Sequence, residues 1–254
     1  MLSSRGRATR SIHFPRTQRL QFQRMRLAIS VLVVALFCAP GRGQEPPPKP
    51  VELADEPHHV LLLQNSSVRV FRLKLKPNEV TLPHGPRKFY AYLSLRPVEV
   101  ANEVRGHKPV MALLEAAEVH TSKGGFTVAE RDSSPEPADL LIIETVKPDV
   151  EEFKTPMGRF RVHDALYGPL FEDFEMRGYT MIMAAEGRTE AHKEQYDRLV
   201  IAVSHVRLQE DNEGGSSSVI EMNPGDFRWI PRGLTHATTN VGTSPATYIT
   251  LEFD

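Results

Sequence analysis

The stretch GDFRWIPRGLTHATTN, residues 225–240, places an imidazole, His236, shortly after a Pro231-Arg232-Gly233 sequence and before Asn240. A neutral imidazole is a common metal ligand. Taken alone, the stretch could equally be a strand, a Pro-Gly turn and a second strand whose histidine is incidental. Other chemistries lack their residues: there is no Gly-rich phosphate loop and no Ser on a nucleophile elbow. Cys38 is the only cysteine, so a chain cut after it has neither a disulfide nor a thiolate metal site. Whether His236 can act therefore depends on the elements that hold it.

The chain has 254 residues, 40% hydrophobic and 25% charged, with a formal net charge of -1. That is ordinary globular composition and carries no nucleic-acid or anionic-membrane signature. Residues 1–26 are rich in Arg and hold no acid, and Leu27–Ala39 (LAISVLVVALFCA) is an apolar run too short to cross a bilayer. This pattern predicts a signal peptide over residues 1–43, with Met25 as an alternative start, and hence an exported protein without stable membrane insertion after leader removal. QEPPPKP opens a Pro-rich, solvated linker, residues 44–54.

From about residue 58 the chain reads as short strands. VRVFRLKLK, KFYAYLSL, LLIIETV, GYTMIMAA, RLVIAVSHVRL, SSVIEM and ATYITLEF are rich in Val, Ile, Leu and aromatics and are bounded by Pro, Gly, Asn and Ser. Only KPVMALLEAAEV looks helical, and its partner in an internal repeat argues for strand. That repeat has a single spacing of 108 residues, the distance from Glu144 to Glu252. It sets SPEPADLLIIE under GTSPATYITLE, Gly125 under Gly233, Asp132 under Asn240 and His84 under His192. The chain is two copies of one β-unit, an all-β architecture.

Gly225, Pro231, Gly233, His236 and Asn240 together resemble the second motif of the cupin family, complete in every position. Gly225 and Asp226 make a turn after EMNP, Pro231 and Gly233 bend the chain into the next strand, and Asn240 can tie the turn that follows. The resemblance implies two antiparallel jelly-roll (cupin) barrels in tandem, residues 55–148 and 160–254, joined by a connector over 149–159. It further implies that His236 is a metal ligand. The family's first motif, two histidines, a glutamate and a glycine, has its counterpart in EAHKEQYDRLVIAVS, where Glu190, His192, Asp197 and Ser204 take those places. Glu190 and His192, two apart on a strand, share a face. The implied site is one divalent ion, Mn, Fe or Zn, on Glu190, His192, Asp197 and His236, with Glu190 as labile ligand or general base. A site in which Asp197 and Glu190 meet Arg188 or Arg198 with no ion is the rival reading.

The first copy carries Leu82, His84, Phe89 and Val128 at the four equivalent places. Its barrel is therefore expected to be metal-free, and His58, His59, His107, His120, His163 and His205 are read as surface residues. Trp229 and Arg228 either line the pocket or face outward, since alternation alone does not choose. The functional expectation is a metal-dependent enzyme on a small oxygenated substrate, its ion a Lewis acid or, as iron, a centre for dioxygen; the reaction is a dioxygenase-like oxidation, a decarboxylation or an isomerisation. The alternative is a non-catalytic extracytoplasmic binding protein for a small ligand or metal. Homo-oligomerisation through edge strands is a further expectation.

Overall fold

A computed structural model describes residues 48–254 except 86–87, 148–151 and 159. The leader pattern, Met25, the start of the linker and part of the connector lie outside the described residues. Pro48–Pro50 are exposed, but Val51–Glu52 (β1) pair in parallel with His84–Gly85 and Leu53 is buried. The stretch read as linker is thus anchored from Val51 onward.

The first copy continues with β2 (His59–Gln64), β3 (Val68–Leu75), β4 (His84–Gly85), β5 (Tyr90–Ser94) and β6 (Val98–Val104). It ends with β7 (Val110–Leu114), β8 (Val119–Ser122), β9 (Val128–Asp132) and β10 (Ala138–Thr145). Two sheets result, in the orders β1-β4-β9-β6-β7 and β2-β3-β10-β5-β8. The second copy holds β11 (Val162–Glu172), β12 (Arg177–Thr189), β13 (His192–Lys193), β14 (Asp197–Ala202) and β15 (Val206–Asn212). It closes with β16 (Ser217–Met222), β17 (Phe227–Ile230), β18 (Thr235–Asn240) and β19 (Ala246–Phe253). There the long β12 pairs with both β19 and β18, so one sheet wraps through both layers. KPVMALLEAAEV is β7, a turn and the start of β8, as its repeat partner requires. Among the described residues no helix is long and apolar enough to cross a membrane.

The two copies repeat in detail. At the 108-residue spacing β4, β6, β8 and β10 recur as β13, β15, β17 and β19, residue for residue. The bridge Val80↔Arg131 recurs as Arg188↔Thr239. Left-handed backbone recurs as well, at Asn78 and Glu186, Ala117 and Gly225, Gly125 and Gly233. Cross-strand partners Arg69 and Glu144 form an ion pair that Arg177 and Glu252 repeat.

The alternation of β10 explains why LLIIE reads as an unbroken apolar run. Leu140 and Ile142 face the first barrel's own core with Phe71, Leu73 and Val100. Leu141 and Ile143 face the other way, into a seam shared with Leu199, Ile201, Ile249, Leu251 and Phe253 of the second copy. A strand covered on both faces has no polar side to show. Trp229 packs against this seam, its ring 5.5 Å from that of Phe253, while Arg228 turns to the inside of the second barrel.

Candidate metal centres

In the second barrel β13 and β18 are antiparallel with His192 directly opposite His236, and their rings lie 5.0 Å apart. The bend built by Pro231 and Gly233 does aim His236 inward: Gly233 has φ +86° and donates its amide to the carbonyl of Glu194. Glu194 in turn donates its amide to Leu234, which locks the residue after β13 against the entry to β18. Asn240 ties the following turn, donating to Met183, Ala184 and Ser244 carbonyls and accepting from the Gly242 amide.

The inward-facing donors are His192, Glu194 and His236, whose ligand atoms all lie within 4.8 Å of one another. His192 gives its Nδ1 to the Glu190 carbonyl at 2.8 Å, and His236 gives its Nδ1 to the Glu210 carboxylate. Both Nε2 atoms then point at Glu194 Oε1, at 3.3 Å from His192 and 2.5 Å from His236. Outer partners of this kind fix imidazole orientation at metal sites. Burial pushes the Glu194 carboxyl up, but the nearby imidazoles of His192 and His236 and the charge of Arg198 outweigh it and hold it at about 2. Burial lowers His236, yet the carboxylates of Glu194 and Glu210 prevail and raise it to about 9.

Arg198 enters the same space. Its guanidinium bonds Glu194, donates from Nη1 to Tyr179 Oη at 2.9 Å and stands 3.3 Å from His236 Nε2. The space left over is about 20 Å³, room for one water-sized group, roofed by Phe160 stacked on His192 at 4.7 Å. His192 Nε2 and Arg198 Nε are buried with no hydrogen-bond partner. An orphaned imidazole nitrogen beside a buried carboxylate fits a cation-binding site; the adjacent guanidinium competes for the same carboxylate.

The four residues expected to converge do not all do so. His192 and His236 meet, but Glu190 carries its carboxylate outward to His163 Nε2 at 3.1 Å, both side chains nearly half exposed. Glu190 and His192 do not share a face, because β12 ends at Thr189 and Glu190, in the break before β13, is tied by its amide to the Arg161 carbonyl. Its contribution to the site is its main-chain carbonyl. Asp197 caps the Pro-Gly bend instead, its Oδ1 accepting the Arg232 amide at 2.8 Å. On β14 the alternation sends Arg198 and Val200 into the barrel and Leu199 and Ile201 to the seam. Glu194 was legible as a carboxylate two residues past His192.

The first barrel corrects a second expectation. His59, read as a surface residue, is buried, and with His84 and Glu130 it forms a second group of candidate ligands. His84 gives its Nδ1 to the Leu82 carbonyl at 2.8 Å, and His59 gives its Nδ1 to Glu56 at 2.7 Å. Both Nε2 atoms face Glu130 Oε2, at 3.4 Å from His84 and 3.6 Å from His59. Val128, directly opposite His84, offers no ligand, but Glu130, two residues on, occupies the same face of β9. Burial would raise Glu56, but bonds from His59, His58 and the Leu82 amide hold it at about 2. Glu56, His59 and Glu130 belong to no motif, so the sequence carries no signal for them; only the strands bring them together.

No protein-family model and no curated protein matches this sequence. Solved structures do. A cupin 2 conserved barrel domain protein from Leptotrichia buccalis is similar with a TM-score of 0.52 at 10% identity, covering 77% of this chain and 88% of its own. AerE from Microcystis aeruginosa has a TM-score of 0.54 at 11% identity, covering 78% of this chain and 98% of its own. An oxalate decarboxylase from Lactobacillus farciminis, in a formate complex, has a TM-score of 0.55 at 11% identity, covering 75% of this chain and 78% of its own. At such identities the likeness shows the fold, and the fold is the tandem cupin barrel.

Proposed function

We propose that this chain is an exported, metal-dependent cupin-fold protein that works on a small oxygenated molecule at its second barrel, with Mn, Fe or Zn on His192, Glu194 and His236. The observation that carries this reading is the orphaned Nε2 of His192, buried and turned with that of His236 toward one carboxylate oxygen. When bound, the ion would supply Lewis acidity. The chain's own residues do the rest. Arg198, buried and with an unused Nε, can receive an anionic oxygen of the ligand, which makes a carboxylate the favoured class. Phe160 covers His192 and excludes water, so a ligand larger than one water requires that the ring move. An oxidation, decarboxylation or isomerisation of such an acid is the reaction class. The apolar run Leu27–Ala39 supports export, and exposed Val110, Met111 and Leu113 on edge strand β7 support association of copies.

A second reading has its own observation. Arg198 and a protonated His236 balance Glu194 and Glu210, so the cluster can be a closed ion network in a non-catalytic binding protein. Elemental analysis of protein purified without nickel resin, followed by a carboxylate turnover panel, separates the two. Loss of one equivalent of metal on His236→Ala in a folded protein supports the first; metal-free protein whose melting temperature ignores chelators and added ions overturns it.

A further inference from the structure

The first barrel holds three donor atoms at separations that suit a shared ion better than each other. Glu130 Oε2 stands 3.4 Å from His84 Nε2 and 3.6 Å from His59 Nε2, beyond ordinary hydrogen-bond length. With metal–ligand bonds of about 2.0–2.1 Å, ligands of one tetrahedral ion lie roughly 3.3 Å apart. His59 Nε2 and Glu130 Oε2 are buried with no hydrogen-bond partner, although the side chain of His59 is only 1% exposed. In the second barrel His192 Nε2 is likewise unpartnered, but the carboxylate is not: Glu194 closes to 2.5 Å on His236 and bonds a guanidinium.

Both imidazoles of the first barrel are also oriented from behind. His59 leans on the Glu56 carboxylate and His84 on the Leu82 carbonyl, so each has only Nε2 left to offer. Glu56 takes further bonds from His58 and the Leu82 amide, which keep it in place. Two neutral imidazoles and one carboxylate leave open positions on a first-row divalent ion.

Glu130 is shared with a cavity of about 290 Å³ inside the first barrel, whose wall includes Leu140, Ile142, Tyr90, Tyr92 and Asn102. The wall is chiefly hydrocarbon and aromatic, with polar groups confined to a few points. That is the make-up of a pocket for a small, largely apolar molecule with one polar end.

We propose that the first barrel is a second, independent site: a divalent ion on His59, His84 and Glu130, with the adjoining cavity taking a small aromatic or branched carboxylic acid or phenol whose oxygen is directed to the ion. Of the four family-motif positions the site uses His84 alone; the other three carry Leu82, Phe89 and Val128 here, and His59 and Glu130 lie outside the motif.

The test uses the full chain with His236→Ala, which disables the second barrel and so separates this site from the function proposed above. Cobalt(II) titration, followed by its visible spectrum and by metal analysis, is expected to show one equivalent bound. Glu130→Gln, close to isosteric, and His59→Ala are each expected to weaken that binding at least 100-fold, with the melting temperature of the metal-free Glu130→Gln form confirming the fold. Benzoate added to the cobalt form is expected to shift the spectrum saturably, and Leu140→Trp, which fills the cavity, to abolish the shift while cobalt stays bound. No cobalt in the His236→Ala chain, or equal affinity in folded Glu130→Gln, overturns the metal site. A spectrum indifferent to benzoate and to phenol overturns the ligand assignment.

Discussion

His84 and His192 stand at the 108-residue spacing of the repeat, and each gives its Nδ1 to the main-chain carbonyl two residues earlier, at 2.8 Å in both barrels. The acceptors belong to Leu82 and Glu190, whose side chains share nothing. Orientation of the imidazole is therefore a property of the backbone, and the side chain at that position is free to vary. Glu190→Ala is accordingly expected to leave metal affinity of the second barrel within about twofold, whereas Glu194→Ala lowers it by 100-fold or more. Isothermal titration with zinc checks both; equal losses would restore Glu190 as a ligand.

Arg198 and Glu194 form a buried ion pair, and removing one partner of such a pair typically costs about 3–5 kcal/mol. Arg198→Met is expected to lose stability of that order in chelator, measured by denaturant unfolding, and to regain much of it on addition of zinc, because the ion replaces the lost positive charge. The wild-type protein should gain less from zinc than the variant does.

The pH dependence follows from His236, whose protonated form is favoured up to about 9 against an ordinary value of 6.5. A raised value in the folded state means stability that is complete below pH 6.5 and is lost as pH rises toward 9. Metal-free protein is expected to lose stability across that window with a slope of up to about 1.4 kcal/mol per pH unit. His236→Gln should flatten the slope, and chemical denaturation at a series of pH values reads it directly.

The seam between the copies is apolar on both sides, with Leu141 and Ile143 against Ile249 and Leu251. Leu141→Ala is expected to cost about 2–5 kcal/mol. Because each barrel lends a sheet to that seam, the described part of the chain is expected to melt in one calorimetric transition, which the variant shifts downward without splitting. Two separate transitions in the wild type would show that the barrels fold independently.

Arg177 is buried on Glu252, with Nε donating at 2.6 Å, while its counterpart Arg69 is partly exposed. Arg177→Ala is expected to destabilise by about 3 kcal/mol or more and Arg69→Ala by about 1, by urea unfolding, since solvent screens the second pair and not the first.

Strand content, the duplication and the turn at each Pro-Gly or Asn position were determined by the sequence itself. They rest on local properties: apolar alternation of period two, glycine's access to positive φ at Gly225 and Gly233, and a fixed spacing that a linear text displays. Which carboxylate joins His192 was decided by tertiary structure, because the chain breaks between β12 and β13 and parity cannot be carried across a break. That is why Glu190 leaves and Glu194 enters, and why Arg198 rather than Asp197 faces inward on β14. The cluster of the first barrel lay still further out of reach: His59, His84 and Glu130 come from three strands at unrelated sequence separations, and only the packing of two sheets, which buries them together, makes them neighbours.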